Sequence, residues 1–181
     1  YPQLASRSAV LPNRVDSDNI IAMSEEPLPV SLPEDGLPLL VTVANVREEK
    51  NHLRQVAAMQ RLFSEGLRFR WVNIGSLANA PLVEKLRLAV RDAGLEDYFT
   101  LTGPLDNPYG VMRRADAVCV LSDHESWSMV ITEAKALGVP VIATRTSGAL
   151  EQIKDGKNGV LCGFSDEEIA ESLRAFLTGG A

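Results

Sequence analysis

Two glutamates eight positions apart, Glu125 and Glu133, bracket a polar stretch that leads into an apolar run with helical spacing. Val130, Ala134 and Leu137 form its apolar stripe, which places Glu133 on the flank of that stripe. Glu133 would then lie about 5 Å, one helical turn, above the free N–H groups at the helix start. A carboxylate there offers two acceptor oxygens to the two adjacent hydroxyls of a ribose.

Glu125 precedes this predicted helix in the loop 122–128, where its carboxylate can accept hydrogen bonds from sugar hydroxyls. The backbone N–H groups of residues 126–130 would face the phosphates or the sugar of the same ligand. Trp127 could stack on that ligand, although an aromatic side chain near a helix start is more often a packing residue. Spacing alone favours a simpler interpretation, because such glutamates often only complement the helix dipole or lie on a solvated face.

Arg47 and Lys50 follow another predicted strand and could stabilise the charge of a departing diphosphate. Two glutamates lie between them, so a solvated charge cluster is the better interpretation when this loop is considered alone. Gly75 and Gly103 each end a predicted strand. The missing side chain would let a ligand approach the backbone there, or these residues are ordinary turn glycines.

An alternation of short apolar runs and helical patterns begins at Leu39. The predicted strands span residues 39–44, 69–74, 99–102, 117–121, 139–143 and 159–161. The predicted helices span residues 51–64, 81–93, 108–114, 128–137, 148–154 and 166–177. This order predicts a doubly wound parallel α/β sheet, Rossmann-like, with helices on both faces. Ligands of such sheets bind beyond the carboxyl ends of the strands, which selects the loops 45–50, 75–79, 103–107 and 122–128.

Residues 1–38 carry six of the ten prolines and show few regular apolar periods. This composition predicts a linker or arm, with a candidate edge strand at residues 8–16, ahead of one domain at residues 39–181. The full length of 181 residues suits one buried core better than two.

Charge and cysteine usage exclude several classes of function. The formal net charge of −6 disfavours a nucleic-acid-binding protein. No apolar run is long enough to span a bilayer and no secretory leader is visible, which makes a cytoplasmic location the default. Cys119, Cys162, His52 and His124 lack metal-ligand spacing, so neither a metal site nor a disulfide is expected.

The sequence motifs of three other enzyme classes are also missing. No G-x-G-x-x-G follows the first predicted strand, and the chain contains neither G-x-x-x-x-G-K-[ST] nor G-x-S-x-G. No sequence motif therefore supports a dinucleotide-binding, nucleoside-triphosphate-binding or serine-hydrolase site.

Taken together, these residues resemble the C-terminal domain of family 4 retaining glycosyltransferases, which have the two-domain GT-B fold. The resemblance covers residues 39–177. It is carried by Glu125 and Glu133 and by the runs AKALGVPVIAT at 134–144, SGALE at 147–151 and DGKNG at 155–159. Residues 10–16 are similar to the interdomain connection of that family.

The resemblance implies that Glu133 binds the ribose of a nucleotide-sugar donor and that Glu125 lies near the donor sugar. Lys50 matches the family lysine that binds the donor diphosphate, and Leu105 would lie with its backbone near the base. The remaining residues predicted to lie near the donor are Asn45, Gly75, Gly103, Ser126, Trp127, Ser128, Met129 and Val130.

Two departures from the family pattern concern this predicted site. Asn45 stands where the family commonly has arginine, and Arg47 follows two positions later, so the usual second cation is missing or displaced. Residues 126–128 read Ser-Trp-Ser where Gly-Phe-Gly is frequent, which adds two hydroxyls near the sugar and restricts the backbone.

The function implied by the resemblance is retaining, metal-independent transfer of a sugar from a nucleotide sugar to a glycan or glycolipid, without a cofactor. A UDP-linked donor is favoured, with GDP- and ADP-linked donors as alternatives. An N-terminal acceptor domain, through which the protein could associate with a membrane, is expected outside this chain. The chain alone should therefore bind a nucleotide without efficient transfer. A nucleotide-sugar epimerase of GT-B architecture and a non-catalytic binding module remain alternatives.

Overall fold

A computed structural model describes residues 13, 15–154 and 156–180 of the chain. Within these residues, helices and strands alternate after a first helix. The helices are α1 (Ser17–Ser24), α2 (His52–Ser64), α3 (Ala80–Asp92), α4 (Tyr109–Arg113), α5 (Met129–Ala136), α6 (Ser147–Gln152) and α7 (Asp166–Leu177). The strands are β1 (Leu39–Val43), β2 (Arg70–Ile74), β3 (Phe99–Gly103), β4 (Ala117–Val120), β5 (Val141–Thr144) and β6 (Gly159–Cys162).

The six strands form one parallel sheet in the order β3-β2-β1-β4-β5-β6. Successive strands run outward from β1 to one edge, and the chain then returns to place β4 on the other side of β1. This is the doubly wound order in which ligands bind at the point where the direction of winding reverses. The predicted α/β, Rossmann-like fold is confirmed.

Each face of the sheet is covered by its own hydrophobic core. On one face, Leu40 and Trp71 of the strands pack with Met59 of α2, and the cluster includes α3 and α7. On the other face, Val41 and Ile131 belong to a second cluster that includes α4 and α6. Alternate strand residues enter opposite cores, which explains why the strands are almost continuously apolar.

The predicted helices and strands from residue 39 onward are all present, with ends shifted by at most two residues. Shifts of two residues occur at the end of α6, which stops at Gln152 rather than at residue 154, and at the start of β5, which begins at Val141 rather than at Val139. Pro140 accounts for the later start, because it has no N–H to donate to the neighbouring strand.

The N-terminal arm contains a helix that the sequence analysis did not predict. Helix α1 is capped by the side chain of Asp16, which accepts the N–H of Asn19 at 3.0 Å, and the helix packs against α4 and α5. Of the candidate edge strand at 8–16, the structure describes only residues 13, 15 and 16. Farther along the arm, Asp35 forms an ion pair of 2.6 Å with Arg70, which attaches the arm to β2.

Candidate active site

A small cavity lies where β1 and β4 meet at their carboxyl ends, at the switch point of the sheet. Its volume is about 70 Å³. We call it the central cavity. Its lining includes Thr42, Val43, Ala44 and Lys50 from β1 and the following loop, and Ser122, Glu125, Ser128 and Val130 from the segment after β4. Four residues predicted to lie near the donor, Lys50, Glu125, Ser128 and Val130, are thus brought together at the switch point of the sheet.

Lys50 and Glu125, both predicted site residues, form an ion pair inside this cavity. Their side chains are only 24% and 16% exposed, so the pair is largely removed from water. The hydroxyl of Ser122 donates to the same oxygen of Glu125 at 3.2 Å. The structure thus joins two loops that the sequence analysis treated separately.

The backbone around Glu125 is held by the start of α6. Its carbonyl accepts the N–H of Gly148 at 2.8 Å and the hydroxyl of Ser147 at 3.1 Å. A Cβ at Gly148 would lie 2.8 Å from the backbone of Ser126 and Trp127, which is too close for any other residue. Ser147 and Gly148 of the SGALE run therefore fix the backbone of the Glu125 loop.

The start of α5 is fixed by Ser128 and by a glutamine that the sequence analysis missed. The Ser128 hydroxyl accepts the N–H of Ile131 as the helix cap. The buried Gln152 accepts the N–H of Ser128 and donates to its carbonyl, both at 2.9 Å, and also donates to Thr132 at 2.8 Å. Both the N–H and the carbonyl of Ser128 are thereby hydrogen-bonded to Gln152.

Within the part of the chain that the structure describes, the N–H groups that remain without a protein acceptor at the start of α5 are those of Met129 and Val130, as is usual in a first helical turn. Val130 lines the central cavity, and Met129 is exposed beside it. Two amides at a helix start favour an anion.

Glu133 lies one turn farther along α5 and is half-buried. Burial raises the pKa of its carboxyl group, and a hydrogen bond of 3.3 Å from the hydroxyl of Tyr109 opposes that shift. Burial and the nearby Glu133 charge raise the pKa of Tyr109 in turn. Tyr109 was not predicted as a site residue, since only the packing of α4 beside α5 brings it to Glu133.

Asn45 and Gly75 connect the first two loops at this end of the sheet. The Asn45 side chain accepts the N–H of Ser76 at 2.8 Å. A Cβ at Gly75 would lie 2.1 Å from the carbonyl oxygen of Ala44, so the close approach of the two loops requires glycine. In this structure both residues hold loops together, which is a role that the sequence analysis did not assign to Asn45.

Arg47, the second predicted cation, lies apart from the central cavity. Its side chain is 62% exposed and lines a separate cavity of about 190 Å³ near α2 and α3. Lys50 is the cation that the fold places beside Glu125. Arg47 and Lys50 therefore line different cavities in this structure, although they belong to the same loop.

The other predicted residues differ in their surroundings. Gly103 has a left-handed φ of 78°, and a Cβ added there would meet no atom within 4 Å. Leu105 is partly buried against the second core. Ser126 is exposed. Trp127 is half-buried, and its indole N–H has no partner among the described residues.

In residues 13, 15–154 and 156–180, no three His, Cys, Asp or Glu side chains are arranged to hold a metal ion. Within that same part of the chain, no helix combines the length and the apolar character that crossing a bilayer requires.

Comparison with family models gives a match of residues 24–180 to "Glycosyl transferases group 1". The chain belongs to this family. The match includes all six strands, α2 to α7, the central cavity and Glu133, and it begins at the last residue of α1, so it covers the sheet and the candidate site together.

Several proteins similar to this chain are named glycosyltransferases. D-inositol 3-phosphate glycosyltransferase of Corynebacterium jeikeium is 30% identical over 175 residues, which cover 91% of this chain and 42% of that protein. A glycosyltransferase structure from Rickettsia africae has a TM-score of 0.74 at 20% identity, with 80% of this chain and 38% of that chain covered. Anabaena HepE in complex with UDP has a TM-score of 0.71 at 21% identity, with 78% and 39% covered. The chain spans about a third to two fifths of the length of the curated relatives it matches.

Proposed function

We propose that this chain is the donor-binding domain of a retaining, metal-independent glycosyltransferase that uses a nucleotide sugar. The observation that carries the proposal is the Lys50–Glu125 ion pair in the central cavity, directly beside the first turn of α5. A cation, a carboxylate and two available amides occupy one end of the sheet. These groups match the phosphates and the sugar of such a donor.

The diphosphate would bind between Lys50 and the N–H groups of Met129 and Val130. An ammonium group and a helix start both favour negative charge, and that charge grows as the sugar–phosphate bond breaks. In this proposal the Lys50 ammonium and the start of α5 would stabilise the leaving diphosphate in place of a metal ion.

The nucleoside would be held by Glu133, whose carboxylate would accept hydrogen bonds from the two ribose hydroxyls. Tyr109 orients that carboxylate by donating to one of its oxygens. Both oxygens retain lone pairs for the ribose, since each can accept two hydrogen bonds. UDP is the favoured nucleotide, supported by the UDP complex of the structurally similar HepE.

Glu125 would lie on the sugar side of the diphosphate. Once the diphosphate draws Lys50 away, the carboxylate is free to accept hydrogen bonds from sugar hydroxyls. We assign the acceptor to a second, N-terminal domain that closes over this end of the sheet, since the relatives of this chain are more than twice as long. The acceptor would be a glycan or a glycolipid.

Calorimetric titration of the chain with UDP, GDP and ADP tests the donor site. Wild type should bind at least one of them, and Glu133→Ala should bind it clearly more weakly. Glu151→Ala is a matched control, because Glu151 is an exposed glutamate on α6. Absence of binding to all three nucleotides, or equal binding by Glu133→Ala and wild type, would refute the site.

Stereochemistry and metal dependence require the full-length protein. Proton NMR of the glycosidic product should show the same anomeric configuration as the donor, and activity should persist in EDTA. An inverted product, or activity that EDTA abolishes and a divalent metal restores, would overturn the corresponding part of the proposal.

A further inference from the structure

Asn51 has an unusual backbone conformation directly after Lys50. Its φ of 57° is positive, and no other non-glycine residue in the described ranges shares this property. It separates the 3₁₀ turn Glu48–Lys50 from the start of α2 at His52. Asparagine tolerates this conformation better than most residues, so the type of residue suits the position.

The side chain of Asn51 reaches across to the segment after β4. Its amide nitrogen donates to the carbonyl of Leu121 at 2.8 Å and to the carboxylate of Asp123 at 2.7 Å. Both partners are acceptors, so only the NH₂ end of the amide can face them, and both of its hydrogens are used. The side chain is therefore fixed at both hydrogens.

These hydrogen bonds join the two loops that carry the ion pair. Lys50 immediately precedes Asn51, and Glu125 follows Asp123 by two residues. One backbone bond supports the same junction, from the N–H of Asp123 to the carbonyl of Glu49 at 2.9 Å. The loops leave β1 and β4 for different crossovers, so direct links of this kind are needed to fix their separation.

We infer that Asn51 is a positioning residue that sets the distance between the Lys50 loop and the Glu125 loop and so directs the Lys50 ammonium into the central cavity. The inference rests on the proposed function of Lys50. A lysine has a long, flexible stem, so the location of its backbone decides how often its ammonium group occupies the diphosphate position. Asn51 itself does not touch the donor.

The test is a double-mutant cycle between Asn51→Gly and Lys50→Ala in this chain. Glycine keeps the left-handed conformation and removes only the side-chain bonds. The measurement is calorimetric affinity for whichever of UDP, GDP and ADP binds wild type most tightly. Asn158→Gly is the matched control, because Asn158 also bonds backbone atoms in a loop, at the opposite end of the sheet.

Asn51→Gly should weaken nucleotide binding by about five- to tenfold, and by less than about twofold when Lys50→Ala is already present, because residues that act through one another are not additive. Asn158→Gly should lower the melting temperature and leave the affinity unchanged. Asn51→Asp, which removes the donor but keeps the side-chain size, should behave like Asn51→Gly and serves if the glycine variant does not fold.

Three outcomes would overturn the inference. Wild-type affinity in both Asn51 variants would show that the Asn51 side-chain hydrogen bonds do not matter for the position of Lys50. An equal loss in both Lys50 backgrounds would show a purely structural effect. Absence of nucleotide binding by wild type would refute the proposed function as well, whereas binding that depends on Lys50 but not on Asn51 would refute only the role of Asn51.

Discussion

Lys50 and Glu125 are 75 residues apart in the sequence and form an ion pair in the central cavity of the fold. The carboxylate thereby neutralises the cation that is proposed to bind the donor diphosphate. A nucleoside diphosphate that enters this cavity must compete with Glu125 for Lys50. The ion pair is therefore both a structural contact and a competitor of the ligand, and two predictions follow from its two members.

Removal of Lys50 should weaken nucleotide binding strongly. In Lys50→Ala, affinity for UDP should fall about 10- to 100-fold, as expected for the loss of a charged hydrogen bond. The free energy of unfolding should fall by about 1 kcal/mol, because Glu125 stays largely buried without its partner. Calorimetry and urea unfolding measure the two effects.

Arg47→Ala is the control and should change affinity less than about twofold, since Arg47 lines another cavity. The prediction fails if Arg47→Ala weakens binding as much as Lys50→Ala does.

Neutralisation of Glu125 should have the opposite effect on UDP. In Glu125→Gln, Lys50 no longer has to break an ion pair, so UDP should bind about two- to fivefold more tightly, the equivalent of about 0.4–1 kcal/mol. Sugar transfer by the full-length protein should fall sharply, because the carboxylate beside the sugar is lost. Weaker UDP binding by Glu125→Gln would show instead that Glu125 contributes to the nucleotide site directly.

Glu133→Gln should increase stability while it reduces binding. Burial raises the pKa of Glu133, so its charged form is disfavoured in the folded protein and stability from this group is lost as the pH rises. At pH 7 the neutral glutamine should therefore raise Tm by about 1–2 °C. This gain in Tm should disappear when the pH is below the ordinary pKa of a glutamate, because position 133 is then uncharged in both proteins. UDP affinity should fall. A lower Tm at pH 7 would contradict the proposed cost of burying the charge.

His52 should make the protein sensitive to acid. Burial lowers its pKa from 6.5 to about 4, with the carbonyl of Ala44 opposing the shift and the Lys50 charge adding to it. Below pH 6.5 the unfolded chain binds a proton that the folded chain does not, so stability falls with pH by about 2–3 kcal/mol down to pH 4.

Urea unfolding at several pH values measures this contribution. His52→Leu should remove most of the loss between pH 6.5 and pH 4. His124→Leu is the control for the other histidine of the chain, which is exposed, and it should retain the wild-type slope. Equal slopes in wild type and His52→Leu would show that other groups cause the acid sensitivity.

Gln152→Leu should destabilise the start of α5. The substitution leaves the buried N–H and carbonyl of Ser128 without their partner, which should cost about 2–3 kcal/mol. Calorimetric unfolding should show a Tm about 5–10 °C lower. Gln60→Leu, at an exposed glutamine of α2, should change Tm little. Equal Tm values for Gln152→Leu and Gln60→Leu would contradict the proposed role of Gln152 in stabilising the start of α5.

The strand and helix pattern was accessible from the sequence because each element carries its own local signal. The apolar run of β4 predicts a strand buried on both faces, and Gly94 marks the end of α3 through its left-handed conformation. Once strands and helices alternate, the rules of handedness and winding leave few topologies. Lys50 and Glu125 could then be predicted at the ligand-binding edge, since each lies in a loop after the carboxyl end of a strand, and Glu133 lies in the helix that follows the second of these loops.

Tertiary structure decided which of these residues meet. Asn51, Tyr109 and Gln152 were not predicted because their partners lie 70, 24 and 24 residues away and no local pattern marks them. Packing of the loops also decides the different positions of two cations in the first loop. Lys50 forms an ion pair with Glu125, whereas Arg47 lines another cavity. Sequence periodicity shows where a helix or strand lies along the chain and which of its faces is apolar. The pairing of side chains depends on how the loops pack across the switch point, which only the folded sheet determines.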